Sequence, residues 1–144
     1  MKEKLIWIIP FLSVLIFITG CATGLNQYKP RSVDEEAVIK LVREHERNWN
    51  EHDLPGFLAT YHNSAKIEYG CEGLLLSKNE FATKISHLMA DYPSVRFANP
   101  SVDVSEKEAV VKVTSTELGD EYHIFRIKML QENDQWYIIK ETCY

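Results

Sequence analysis

The chain is short of the residues that carry the commonest chemistries. Its 144 residues hold three cysteines, six glycines and five prolines, too little glycine for a collagen repeat and too little of either for a low-complexity chain. No glycine-rich phosphate loop, serine nucleophile elbow or Cys-x-x-Cys pair occurs, so the usual signatures of nucleotide binding, serine hydrolysis and dithiol exchange are missing. Positive charge is also in deficit: 16 Lys and Arg stand against 21 Asp and Glu, a formal charge of −5. Proteins that bind nucleic acid neutralise phosphates with an excess of the opposite sign, so nucleic acid is not an expected partner. With 45% hydrophobic and 26% charged residues, the chain has ordinary globular composition and the length of one domain.

What is present is unevenly distributed. Lys2 and Lys4 precede residues 5–18, a stretch without charge. As a helix that stretch reaches about 21 Å, short of the roughly 30 Å a permanent span must cross. Residues 1–20 therefore read as a signal peptide. The tetrapeptide Ile18-Thr19-Gly20-Cys21 resembles the lipobox of bacterial lipoproteins, with Ile18 where leucine is more usual. The resemblance implies that Cys21 is acylated, palmitate included, and becomes the mature N-terminus. The expected partner is then a lipid bilayer and the expected location the bacterial cell envelope, since two or three acyl chains exceed the single-chain threshold for stable anchoring. Ala22 resembles the outer-membrane sorting signal of cells with two membranes, which implies the periplasmic face of the outer membrane. The alternative is a plain cleaved signal with Cys21 a bystander. Residues 22–31 are polar and aperiodic and read as a tether of about ten residues.

The remainder, residues 32–144, reads as a single domain. Ser32 with Glu35 forms a capping-box pattern, and Asp34, Glu35 and Glu36 suit a helix N-terminus. Val38, Leu41, Val42, His45 and Trp49 then recur at helical spacing. Asp53 can cap a second helix with Pro55 in its first turn and Leu54, Phe57, Leu58 and Tyr61 inward. Residues 66–70 and 74–76 read as short strands around Gly73. Ser77 and Glu80 then open a third helix, with Phe81, Ile85, Leu88, Met89 and Tyr92 inward, stopped by Pro93. From Ser94 the period becomes two, through Val95 and Phe97, Val102 and Val104, Val111 and Val113, residues 123–129 and residues 136–144. Turns at Ser105-Glu106-Lys107, Gly119-Asp120 and Asn133-Asp134 predict a four-stranded antiparallel meander. The element order is ααββαββββ.

That order, the run Asn48-Trp49-Asn50-Glu51-His52-Asp53-Leu54 continuing through Phe57 to Tyr61, and the closing Gln135-Trp136-Tyr137-Ile138-Ile139 resemble the NTF2-like superfamily, which includes SnoaL-type cyclases and ketosteroid isomerases. The resemblance implies an α+β cone: a curved, mostly antiparallel sheet wrapped around three N-terminal helices, with an apolar pocket at one end. In the isomerases a tyrosine on the first helix and a protonated aspartic acid on a late strand bind the substrate oxyanion, while an aspartate after the first strand moves the proton. Those positions fall here on His45, His123 and Tyr69, a different set.

Three functions follow as expectations. The first is a non-catalytic domain that binds a small apolar ligand or a protein partner. Its pocket would be made by His45, Trp49, Phe57, Tyr61, Tyr69, Phe97, His123 and Phe125. Together with Phe81 and Trp136, these aromatics either line a cavity or simply pack the core. The second is a SnoaL-like isomerase, cyclase or dehydratase with His45 and His123 as acid and base, Tyr69 as hydrogen-bond donor, and Glu68 or Glu141 orienting one imidazole. Against it, both histidines read more simply as core residues tied to a carbonyl, Tyr69 or Tyr137. The third is a homodimer or envelope-complex module using outward Ile124 and Ile138. His52, His62 and His87 read as solvated. No cofactor is expected, and no metal, because the histidines lack helical His-x-x-x-His spacing.

If Cys21 carries lipid, Cys71 and Cys143 remain, outside the cytoplasm. In the NTF2-like arrangement the first and last strands are parallel neighbours with these residues at their C-terminal ends, which implies a disulfide; two buried thiols are the alternative.

Overall fold

The computed structural model describes residues 22–116 and 122–144; the leader, Cys21 and the turn at Gly119-Asp120 lie outside them. The first helix, α1 (Val33–Asn50), starts where the cap predicts, with the Ser32 hydroxyl accepting the Glu35 N–H at 3.1 Å. The reciprocal half of the box is replaced. The Glu35 carboxylate reaches one residue further back, to the Arg31 N–H (2.8 Å), the Arg31 guanidinium (3.0 and 2.6 Å) and the Tyr28 hydroxyl (3.1 Å). These donors, the Arg31 side chain foremost, hold the Glu35 carboxyl at about 2 against an ordinary 4.5. A carboxyl depressed by folding stabilises the fold above its unfolded value, and the contribution is lost as pH falls through the folded one. Replacing Glu35 by glutamine is therefore expected to flatten the loss of stability between about pH 4.5 and about 2. Urea midpoints across that window check it, and an unchanged slope counts against it.

Residues 22–31 are not an extended tether. Gly24 forms a β-bridge to Ala98, Thr23 exchanges bonds with Asn99 (3.0 and 2.7 Å), and Leu25, in the 3-10 turn Leu25–Gln27, is 4% exposed within the core. Arg43 of α1 holds the Leu25 carbonyl at 2.7 Å.

The second helix, α2 (Leu54–Ala59), is capped by Asp53, which accepts the Gly56 N–H at 3.0 Å. It ends before Tyr61, although Phe57 and Tyr61 have helical spacing. Thr60 caps it and turns its hydroxyl onto the Phe57 carbonyl at 2.6 Å, and Tyr61 becomes the first residue of β1 (Tyr61–Tyr69). After β2 (Leu74–Ser77), the Ser77–Glu80 box closes on both sides. The expected third helix is two, α3 (Lys78–Ala82) and α4 (Ile85–Asp91). The Thr83 hydroxyl bonds the Glu80 carbonyl at 2.7 Å, and the backbone N–H groups of Thr83, Lys84 and His87 bond three residues back, tightening the joint. The meander follows as β3 (Arg96–Ser105), β4 (Glu108–Thr116), β5 (Tyr122–Glu132) and β6 (Gln135–Cys143). Asn133 and Asp134 both have positive φ, 51° and 62°, the conformation that a two-residue hairpin loop demands.

The six strands form one mixed sheet in the order β2-β1-β6-β5-β4-β3, in which only β1 and β6 are parallel. Directly paired residues share a face. One inward row runs Val111, Ile127, Glu141, Ile67 and the next Val113, Phe125, Cys143. Val38, Ile39 and Val42 of α1 belong to the same buried core. Ile138, expected outward, is fully buried. The register of β6 shifts between its pairing with Lys128 and with Met129. The shift leaves Ile139 as the extra residue, so Trp136 and Ile138 face inward before it, and Glu141 and Cys143 after it. Ile124 is exposed, with Tyr122 and Tyr144.

Candidate functional site: a cavity with a buried histidine–glutamate pair

A cavity of about 150 Å³ lies within the cone. Six aromatic rings lie on its wall: Trp49, Phe57, Phe81, Tyr92, Phe97 and Phe125. Leu88 and Val95 complete the apolar part, and His45, Glu68, His123 and Glu141 supply the polar groups. Of the residues singled out from sequence, His45, Trp49, Phe57, Phe97, His123 and Phe125 are brought together here. Tyr61 lies behind the wall, 1% exposed, and Tyr69 is held opposite Leu74 in the β1–β2 ladder and packs on the core. The wall at the end of β1 is formed instead by Glu68, Gly70 and Cys71. Gly70 and Cys71 both have positive φ, 64° and 57°, and carry the chain around to the Cys71–Cys143 disulfide, whose Cα atoms are 5.3 Å apart.

The run from Asn48 to Leu54 does structural work at one end of the cavity. Trp49 donates its indole N–H to the Tyr92 carbonyl (2.8 Å), and Asn50 pairs with both the N–H and the carbonyl of Val95 (2.8 and 2.9 Å). His52, although exposed, bonds the Pro93 carbonyl at 3.2 Å. Together these hold the loop that presents Tyr92 and Val95 to the cavity. His62 lies in β1 rather than a turn and is not simply solvated: it bonds Ser64 (2.7 Å) and Glu132 (3.3 Å). His87 is exposed on α4.

His45 is 2% exposed and has side-chain partners, not a carbonyl. Its Nδ1 lies 2.7 Å from the Thr60 hydroxyl, and its Nε2 lies 3.2 Å from Glu141 Oε2 and 3.4 Å from the Tyr61 hydroxyl. Tyr61 donates to Glu141 Oε2 at 2.9 Å. Burial first, and then the Glu141 charge, push the Tyr61 phenol well above its usual range, so it remains a proton donor. Phe57 stacks on the imidazole at 4.1 Å between centroids. Glu68, the other carboxylate considered as a histidine partner, is occupied by the N–H groups of Gly73 (2.6 Å) and Cys143 (3.0 Å). His123 faces inward from β5, opposite Ser115, and lines the cavity. Sequence reasoning missed Thr60 and Tyr61 as His45 partners and left Glu141 as one of two options. The only sequence signal for Glu141 was a carboxylate in an otherwise alternating strand.

Four α-helices packed with a curved, unclosed six-stranded sheet among the described residues, with a cavity at the helix–sheet junction, define the NTF2-like cone fold. Solved structures agree. An NTF2-like protein of unknown function from Pseudomonas putida KT2440 superposes with a TM-score of 0.68 at 16% identity, over 76% of this chain and 84% of that one. A candidate ketosteroid isomerase from Shewanella frigidimarina gives 0.66 at 13%, over 75% and 94%. A candidate scytalone dehydratase from Novosphingobium aromaticivorans gives 0.61 at 14%, over 77% and 83%. No family model matches the sequence, and no curated protein does.

Proposed function

We propose that this chain is an envelope lipoprotein whose cone binds a small, mostly apolar ring compound, with the anchor at Cys21 and the ligand in the cavity of the NTF2-like domain. The observation that carries the binding reading is an aromatic-walled space of about 150 Å³ with polar groups on its wall, the general character of a small-molecule site and about the volume that holds one benzene ring. The basic leader, the uncharged run and the lipobox-like tetrapeptide support the anchor. The Cys71–Cys143 disulfide supports an oxidising compartment. Because Thr23 and Gly24 are bonded to β3, an acylated Cys21 would hold the domain against the bilayer with little slack.

A saturating amount of toluene is expected to raise the melting temperature of the purified full chain; occupancy at a hundred times the dissociation constant corresponds to about 2.7 kcal/mol. Leu88→Trp, which fills the apolar wall, is expected to abolish the rise. No rise with either toluene or phenol in the unmodified protein sinks the binding reading. A second reading is proton transfer on a small carbonyl compound, and the placing of His45 and Glu141 on the cavity wall favours it. The two part on whether the occupant leaves the protein chemically unchanged.

A further inference from the structure

The protons behind the cavity wall decide what kind of ligand it takes. Thr60 has one hydroxyl proton, and at 2.6 Å from the Phe57 carbonyl, which only accepts, that proton is committed there. The Thr60 oxygen therefore accepts from His45 Nδ1 at 2.7 Å. With its hydrogen on Nδ1, the imidazole turns Nε2 toward Glu141 Oε2 at 3.2 Å. Bare lone pairs do not face each other at that distance in a buried site, so a proton lies between Nε2 and Oε2, carried by the imidazole or by the carboxyl. Tyr61 adds its own hydroxyl to the same oxygen. In each arrangement the hydrogens gather on the Oε2 side and Oε1 keeps its lone pairs. Oε1 makes no bond among the described residues, and Glu141 is part of the cavity wall. The other carboxylate on the wall, Glu68, is likewise an acceptor, with both oxygens taking backbone N–H groups.

We propose that Glu141 Oε1 makes the cavity prefer a single-ring molecule bearing a hydrogen-bond donor, a neutral hydroxyl or amino group, over a ring without one. This rests on the ligand-binding reading and adds the ligand's chemical class. The aromatic wall takes the ring, and the donor satisfies an oxygen that would otherwise be desolvated without a partner. A carboxylate-bearing ring would instead meet Glu68 and Glu141.

The test is calorimetric titration of the purified full chain with phenol, toluene, benzaldehyde and benzoate. Phenol is expected to bind about tenfold more tightly than toluene, the worth of one net hydrogen bond. Benzaldehyde should bind more weakly than phenol, and benzoate, which meets both carboxylates, most weakly. In Glu141→Leu the acceptor is gone, while the Tyr61 hydroxyl can turn to His45 Nε2, so the advantage of phenol over toluene should disappear. Phenol and benzaldehyde binding alike to the unmodified protein overturns the inference while the cavity reading stands; failure of all four to bind overturns the cavity reading itself. The panel on the unmodified chain decides the matter even if the leucine variant does not fold.

Discussion

Replacing Cys143 by serine is expected to lower the unfolding free energy by about 4 kcal/mol, with a fall in melting temperature on the order of 15 °C. Cys71 and Cys143 are 72 positions apart, so the bridge closes a long loop, and in the chain-entropy model a loop of that size restricts the unfolded chain by about this amount. The native side argues in the same direction. Cys143 is the last residue of β6, which lies between β1 and β5, and without the bridge that end of the strand keeps its ladder bonds and the Glu68 contact but loses its tie to the turn after β1. Chain ends fray unless tied down. The measurement is urea unfolding of both proteins with and without reductant. Reductant should shift the unmodified protein to the midpoint of the serine variant and leave the variant unmoved. A common midpoint under all four conditions would remove the bridge from the account of stability. A loss of 4 kcal/mol is large against the about 5–15 kcal/mol of an ordinary domain.

The parts of this fold that were legible in the sequence are those specified locally. Ser32, Asp53 and the Ser77–Glu80 pair start three helices because a cap needs only its own side chain and N–H groups two or three residues on. Period-two patterning and the Asn133-Asp134 turn likewise locate β3 to β6 within a few residues. What escaped was specified at a distance or by parity. Tyr61 has helical spacing from Phe57, but its backbone is claimed by β6, where it pairs with Ile138. Residues 22–31 are polar enough for a tether, yet Thr23 finds its partner at Asn99, 76 positions away and invisible to any local pattern. In β6 one extra residue at Ile139 reverses which side chains face inward. Simple alternation from Trp136 would put Lys140 inside; the shift puts Glu141 there, and with it the partner of His45. A bulge without glycine leaves no compositional trace, so the chemistry of the site was the least legible part of a readable fold.

His45→Leu is expected to cost about 3 kcal/mol, because removing one partner of a buried, hydrogen-bonded pair strands the other. Glu141 would remain in a row of Val111, Ile127 and Ile67, all fully buried, with the Tyr61 hydroxyl as its one remaining bond. The reverse change should be milder. In Glu141→Leu the Tyr61 hydroxyl is released and stands 3.4 Å from His45 Nε2, near enough to turn and donate, while Nδ1 keeps Thr60. The imidazole is then satisfied as a neutral ring, and the net loss is about 1 kcal/mol, one ordinary hydrogen bond. The two substitutions should also fail to add, because they act on one contact. Introducing Glu141→Leu into His45→Leu removes the stranded carboxylate and leaves only the Tyr61 hydroxyl without a partner, so the second change is expected to restore stability rather than reduce it further. Urea midpoints of the four proteins in one double-mutant cycle read this directly. If the double variant lies below the unmodified protein by the sum of the two single losses, His45 and Glu141 are two independent packing residues, and the shared proton that gives Glu141 Oε1 its acceptor role falls with the pair.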